Sequence, residues 1–206
     1  MVPEVALIDY GAGNLHSVEN ALRAAGAPDV AVTADPDVVL GAERIVLPGV
    51  GAFRACMEAL SAIPGMIDAM ETAVLRQGRP FLGICVGMQL LADAGEEHGR
   101  WAGLGWIGGT VRRLVPDDSA CKIPHMGWND VRPTREHPLI VPGEAYFLHS
   151  YAIQDIDPAL CLATTEHGGE VIAAVGRDNI VGVQFHPEKS QSYGLALLTR
   201  FLDWKP

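Results

Sequence analysis

With 206 residues, of which 49% are hydrophobic, the chain is long enough to bury a sizeable core, and no low-complexity run points to disorder. A net charge of −10 excludes the basic face that a nucleic-acid or anionic-membrane binder needs. Met1-Val2-Pro3-Glu4-Val5 lacks the charged and apolar regions of a signal peptide, and no apolar run is long enough to span a bilayer, so a cytoplasmic protein is expected.

The first half alternates strand and helix. Val5–Asp9 is a short apolar strand, followed by a helix capped by Asn14 or Ser17 with Leu15, Val18, Leu22 and Ala25 at helical spacing, ended by Gly26. Arg44–Leu47 is a second buried strand, closed by Pro48-Gly49-Val50-Gly51. A helical stretch runs from about Phe53 to Gln77 and breaks at Pro64-Gly65. Phe81–Ile84 is a strand, and Met88–Ala94 is helical. The second half reads as short strands at Thr110–Val115, Asn129–Arg132, Ala145–Ile153, Leu160–Glu166, Glu170–Val175 and Ile180–His186. Turn residues at His167-Gly168-Gly169 and Arg177-Asp178-Asn179 make hairpins of the last three. A final helix spans about Ser192 to Trp204. The expected fold is α/β over residues 1–206 as one domain: an open, largely parallel sheet flanked by helices, with an antiparallel extension.

The most informative segment is Gly83-Ile84-Cys85-Val86-Gly87, where an apolar strand runs through Gly-x-Cys-x-Gly into a helix. That layout sets a cysteine on a sharp nucleophile elbow, with glycines where side chains would collide. The helix after it offers free N–H groups and a positive dipole end, which favour a thiolate. Later, Gln184-Phe185-His186-Pro187-Glu188 places a histidine and a glutamate at i and i+2, on one side of an extended segment held by Pro187. A carboxylate beside an imidazole selects its tautomer and stabilises the imidazolium. Cys85 is thus read as nucleophile, His186 as base and Glu188 as orienter. Two backbone donors are candidates for an oxyanion site: the N–H of Val86, which follows the nucleophile, and that of Val50 in the glycine-rich loop. The cysteines Cys56, Cys85, Cys121 and Cys161 form no C-x-x-C pair. No phosphate-binding glycine fingerprint is present either. Neither a metal nor a cofactor is expected.

Gly83-Ile84-Cys85-Val86-Gly87-Met88-Gln89 together with Gln184-Phe185-His186-Pro187-Glu188 resembles the class I glutamine amidotransferases, over nearly the whole chain. Asp9–Leu15, Leu47–Phe53, Pro124–Asn129, Tyr146–Tyr151 and His186–Ser190 are similar to one branch, the glutaminase subunits of imidazole glycerol phosphate synthases. The branch often has Leu after the nucleophile where this chain has Val86, a change that a backbone N–H tolerates. The resemblance implies hydrolysis of glutamine to glutamate and ammonia through a Cys85 thioester. By motif position it implies that Gln89 and Glu97 hold the amino-acid end of glutamine, with backbone help from Gly51 and Ser150. It also implies a heterodimer with a separate cyclase subunit, a (β/α)8 barrel, that uses the ammonia to make imidazole glycerol phosphate and an aminoimidazole carboxamide ribotide. Asn14, Met126, Trp128, Tyr146 and Lys189 match positions used for that docking. A second expectation is that the Val50 peptide rests with its N–H turned away until the liganded partner binds. The other readings are a glutaminase serving a different synthase, a stand-alone hydrolase of γ-glutamyl peptides and a non-catalytic module with the same fold.

Overall fold

The computed structural model describes residues 3–118 and 120–206; the expectation about the chain's first residues falls partly on Met1 and Val2, outside the described residues. In chain order the first half contains β1 (Val5–Ile8), α1 (Leu15–Ala24), β2 (Val30–Thr33), α2 (Pro36–Gly41), β3 (Arg44–Leu47), α3 (Phe53–Ser61), α4 (Met66–Glu71), β4 (Phe81–Ile84) and α5 (Val86–Gln89). The second half contains β5 (Ala94–Gly95), β6 (Trp101–Ala102), β7 (Thr110–Arg113), β8 (His125–Pro133), β9 (Gly143–His149), β10 (Tyr151–Gln154), β11 (Cys161–Glu166), β12 (Glu170–Arg177), β13 (Ile180–Val183) and α6 (Gln191–Asp203).

The main sheet has nine strands in the order β2-β1-β3-β4-β13-β12-β11-β8-β9. From β2 to β13 neighbouring strands run parallel, and from β13 to β9 they run antiparallel. The expected open sheet with an antiparallel extension is therefore present. Strands β1, β3, β4 and β13 are buried at every position. Such unbroken apolar runs suit central parallel strands covered on both faces. A smaller sheet, β10-β7-β5-β6, stands beside the first.

Several elements differ from the sequence reading. β2 and α2 are additional to the expected elements: Asp35 accepts the Asp37 N–H at 2.9 Å and Pro36 opens α2, a standard helix start. The helix expected over Met88–Ala94 instead spans Val86–Gln89, and Ala94 begins β5. Its continuation is stopped because Leu90 and Leu91 give their carbonyls to the N–H groups of Leu104, Trp106 and Ile107. The strand expected over Ala145–Ile153 is two strands in different sheets, β9 paired with β8 and β10 paired with β7. The break falls at Ser150, whose carbonyl accepts the Leu114 N–H at 2.9 Å. The strand expected to reach His186 ends its ladder at Val183. Beyond it, the Gln184 and His186 N–H groups donate to the Ala173 and Tyr146 carbonyls, each at 2.9 Å. Among the described residues no helix is long and apolar enough to cross a membrane.

Candidate active site

Strand β4 delivers Cys85 at the start of α5 with φ +54° and ψ −110°. L residues rarely adopt such a conformation, and it persists only where the surroundings impose it. Here the Cys85 N–H donates to Val183 at 2.8 Å, while its carbonyl accepts Met88 and Gln89 N–H groups at 3.0 and 3.1 Å. The two elbow glycines are required sterically. A methyl group on Gly83 would stand 2.7 Å from the Gly87 carbonyl oxygen, and one on Gly87 would stand 1.9 Å from that of Leu47. α5 has only four residues, so it contributes less dipole to the nucleophile than the expected longer helix would.

Side chains do more. The buried Gln184 donates Nε2–H to the Cys85 sulfur at 3.7 Å, and its Oε1 accepts from Gln89 at 3.0 Å, which orients the amide. Sequence reasoning assigned Gln184 no role. The available signal was its parity with His186: both lie on the same side of an extended segment, and a buried glutamine there needs partners.

His186 Nδ1 and Glu188 Oε1 are 2.9 Å apart, with both side chains buried. The backbone of this turn is tied down by Ser190, whose hydroxyl donates to the His186 carbonyl at 2.6 Å and accepts the Tyr146 N–H at 2.9 Å. Burial opposes charge on the His186 ring, but Cys85 and Glu188 outweigh it and raise its pKa from 6.5 to about 9. The ring is thus a cation at neutral pH, a proton donor beside the Cys85 sulfur. Because the folded-state pKa is the higher one, the stabilisation it brings is complete below pH 6.5 and is lost as pH rises through about 9. In Glu188→Gln the ring should titrate well below its wild-type value by NMR, and glutamine turnover should fall about 10²–10⁴-fold. An unmoved titration would remove Glu188 from the role of orienter.

The two candidate oxyanion donors do not converge. The Val86 N–H donates to the Gly49 carbonyl at 3.3 Å. In a trans peptide the N–H of Val50 points opposite to that carbonyl, away from Val86. Only glycine fits at position 49, because an added Cβ would stand 2.7 Å from Gly87 N. On the far side, the Cys56 thiol donates to the Val50 carbonyl at 3.4 Å.

Val50, Gly51, Cys85, Val86, Gln89, Glu97, His149, Ser150, His186 and Lys189 all border one cavity of about 170 Å³. Gln89 is buried and gives its amide hydrogens to the Tyr151 carbonyl at 2.9 Å and to Gln184. Glu97 is half-buried and accepts the Phe53 N–H at 3.0 Å, so it caps α3 as well as facing the cavity. The Ser150 carbonyl is already engaged by Leu114, which leaves its N–H and hydroxyl for a ligand.

On the β8–β9 hairpin, whose Leu148 borders the cavity, Trp128 pairs with Tyr146 and Met126 with Leu148. Met126 is 65% exposed and Trp128 46%, so these are not core residues. Tyr146 stands edge-on to Trp128 at 6.2 Å, with the Lys189 ammonium 5.9 Å from its ring. Asn14 precedes α1 and is half-buried, without a side-chain cap bond to that helix. Among the described residues no cluster of three or more His, Cys, Asp or Glu side chains could hold a metal ion.

A sequence profile of the family described as glutamine amidotransferase class-I matches residues 6–203. The imidazole glycerol phosphate synthase subunit HisH of Zymomonas mobilis subsp. mobilis is 68% identical over 205 residues, 98% of this chain and 96% of that protein. The Rhodospirillum rubrum protein of the same name is 54% identical over 212 residues, 98% of this chain and 99% of that protein. Among solved structures, a chain described as a glutamine amidotransferase is similar with TM-score 0.75 at 17% identity, covering 97% of both chains. PurLQS from Thermotoga maritima is similar with TM-score 0.71 at 20% identity, covering 98% of this chain and 99% of that one; at such identities the likeness concerns the fold. By the extent of the family match and the identity to these relatives, the chain belongs to the class-I glutamine amidotransferases, in the branch of the imidazole glycerol phosphate synthase HisH subunits.

Proposed function

We propose that this chain is a glutaminase subunit of imidazole glycerol phosphate synthase in histidine biosynthesis, working in the cytoplasm. On this reading residues 1–206 act as one glutaminase domain, consistent with a main hydrophobic core whose members range from Val5 to Trp204. The observation that carries it is Cys85 on a strained elbow beside the buried His186–Glu188 pair. Cys85 sulfur attacks the glutamine side-chain carbonyl, and the oxyanion collects on backbone N–H groups. His186 protonates the departing nitrogen, so ammonia leaves and a thioester remains. Water then attacks the thioester, His186 takes its proton, and glutamate leaves as the Cys85 thiolate is restored beside the His186 imidazolium. Gln89, Glu97, Gly51 and Ser150 hold the amino-acid end of the substrate.

The acceptor of the ammonia is a separate cyclase subunit, a (β/α)8 barrel, seated over the cavity mouth on Met126, Trp128, Tyr146, Lys189 and Asn14. Exposed aromatic and methionine side chains suit the centre of such a contact. The turned-away Val50 N–H supports a gate: rotation of the Gly49–Val50 peptide would free the Val86 N–H and aim both donors at one point. Removing one such donor typically costs about 10²–10³ in rate. Glutamate release should therefore be slow for the chain alone and rise by at least about 10²-fold with the barrel and its nucleotide. Equal rates with and without the liganded barrel would favour a stand-alone hydrolase and remove the gate.

A further inference from the structure

We propose that Asn129, His125 and His149 form a directional hydrogen-bond chain that braces the glutamine end of the cavity, with Asn129 and His125 as positioning residues for Gln89. The proposal rests on the reading of Gln89 as a glutamine-holding residue. It is carried by a run of bonds in which each donor determines the next. The Asn129 amide is oriented at both ends: Oδ1 accepts the Asp130 N–H at 2.9 Å, and Nδ2 donates to the Glu166 carbonyl at 2.8 Å. The other Nδ2 hydrogen points at His125 Nε2, 3.0 Å away, so that nitrogen must accept. His125 then carries its proton on Nδ1 and donates to His149 Nε2 at 3.0 Å. His149 in turn carries its proton on Nδ1 and donates to the Tyr151 carbonyl at 2.9 Å. The same carbonyl accepts from Gln89 at 2.9 Å, and Gln89 also donates to Gln184, which faces the Cys85 sulfur.

Packing makes this chain stiff. His125 is sandwiched between Phe147, with centroids 4.7 Å apart, and His167, at 4.1 Å. Both His125 and His149 are buried. Burial, helped by neighbouring imidazoles, lowers their pKa values to about 3 and about 4 respectively, so both rings stay neutral where His186 is charged. A neutral His149 spares the nearby His186 imidazolium a like charge. The position of the chain also matters. His125 and His149 are direct cross-strand partners on the inner side of the β8–β9 hairpin, while Met126, Trp128 and Leu148 face outward. One hairpin therefore presents the docking face on its outside and the brace on its inside.

The test uses His125→Phe, which preserves the stacked ring and removes both hydrogen-bonding nitrogens. Long-range ¹H–¹⁵N NMR of the wild-type chain at neutral pH should find His125 and His149 both protonated at Nδ1; in the variant His149 stays held at Nδ1 by the Tyr151 carbonyl, and its Nε2 resonance should shift as the hydrogen bond from His125 is lost. In the complex with the barrel and its nucleotide, the KM for glutamine should rise about tenfold with kcat changed less than about threefold, the loss of roughly one positioning hydrogen bond. Synthesis from ammonium salts should be unchanged. His125→Gln, which retains one acceptor and one donor, should recover most of the loss. A His149 found protonated at Nε2 or cationic in the wild type overturns the proposal, and so does an unmoved KM in folded His125→Phe. If that variant does not fold, Asn129→Ala removes the first donor with both rings in place, and the same two readouts decide. A wild-type complex that does not turn over glutamine would sink the glutaminase reading, while the tautomers would still decide the chain.

Discussion

Replacing Cys85 with Ala should cut glutamine-dependent synthesis by the complex about 10⁵-fold or more while synthesis from ammonium salts stays within about twofold of wild type. The first figure follows from losing the nucleophile outright, because groups that act as one unit fail together. The second follows from the proposed division of labour, in which the partner subunit uses ammonia whichever way it is made. The substitution is mild for the fold. Ala removes only a buried sulfur and tolerates the same backbone about as well as Cys, so the cost should be about 1 kcal/mol of stability. Loss of both activities would mean that Cys85 supports docking or folding instead. Retention of glutamine-dependent synthesis would require another nucleophile, and none of the other thiols borders the cavity.

Gly87→Ala should have the largest effect on stability, about 2–4 kcal/mol. The new methyl would lie 1.9 Å from the Leu47 carbonyl oxygen, and that atom has little freedom to move away. Leu47 ends β3, which is paired to β1 on one side and β4 on the other. The strain would therefore be relieved by displacing α5, and with it the Cys85 turn and the Val86 N–H, so glutaminase activity should fall along with stability. Urea unfolding would measure the first effect and glutamate release by the complex the second. Gly41→Ala is the control: its methyl would meet nothing within 4 Å, and its stability should stay within about 0.5 kcal/mol of wild type. Equal behaviour of the two variants would show that the elbow is not sterically closed.

Much of the site is readable without coordinates because its determinants are local. The apolar runs Phe81–Ile84 and Ile180–Val183 specify adjacent parallel strands, paired in register from Phe81↔Ile180 to Ile84↔Val183. The glycines of the elbow and the two-residue spacing of His186 and Glu188 are properties of short segments, and the backbone realises them within those segments. The same holds for the helix start at Asp35-Pro36, where the signal was present in the residues.

What the chain's order of residues determined by itself, then, was the alternation of strand and helix in the first half, the parallel sheet, and which cysteine, histidine and glutamate are the candidates for nucleophile, base and orienter. Tertiary structure alone decided the rest, because it depends on hydrogen bonds between segments far apart along the chain. Gln89 meets Gln184 across 95 positions, and this contact aims an amide at the Cys85 sulfur. The end of α5 is dictated by Leu104, Trp106 and Ile107 capturing the carbonyls of Leu90 and Leu91 just beyond it, and the break at Ser150 by Leu114. The direction of the Gly49–Val50 peptide is another such case. Glycine leaves both orientations open locally, and the bond from Val86 N–H to the Gly49 carbonyl selects the one in which the Val50 N–H points away from Val86.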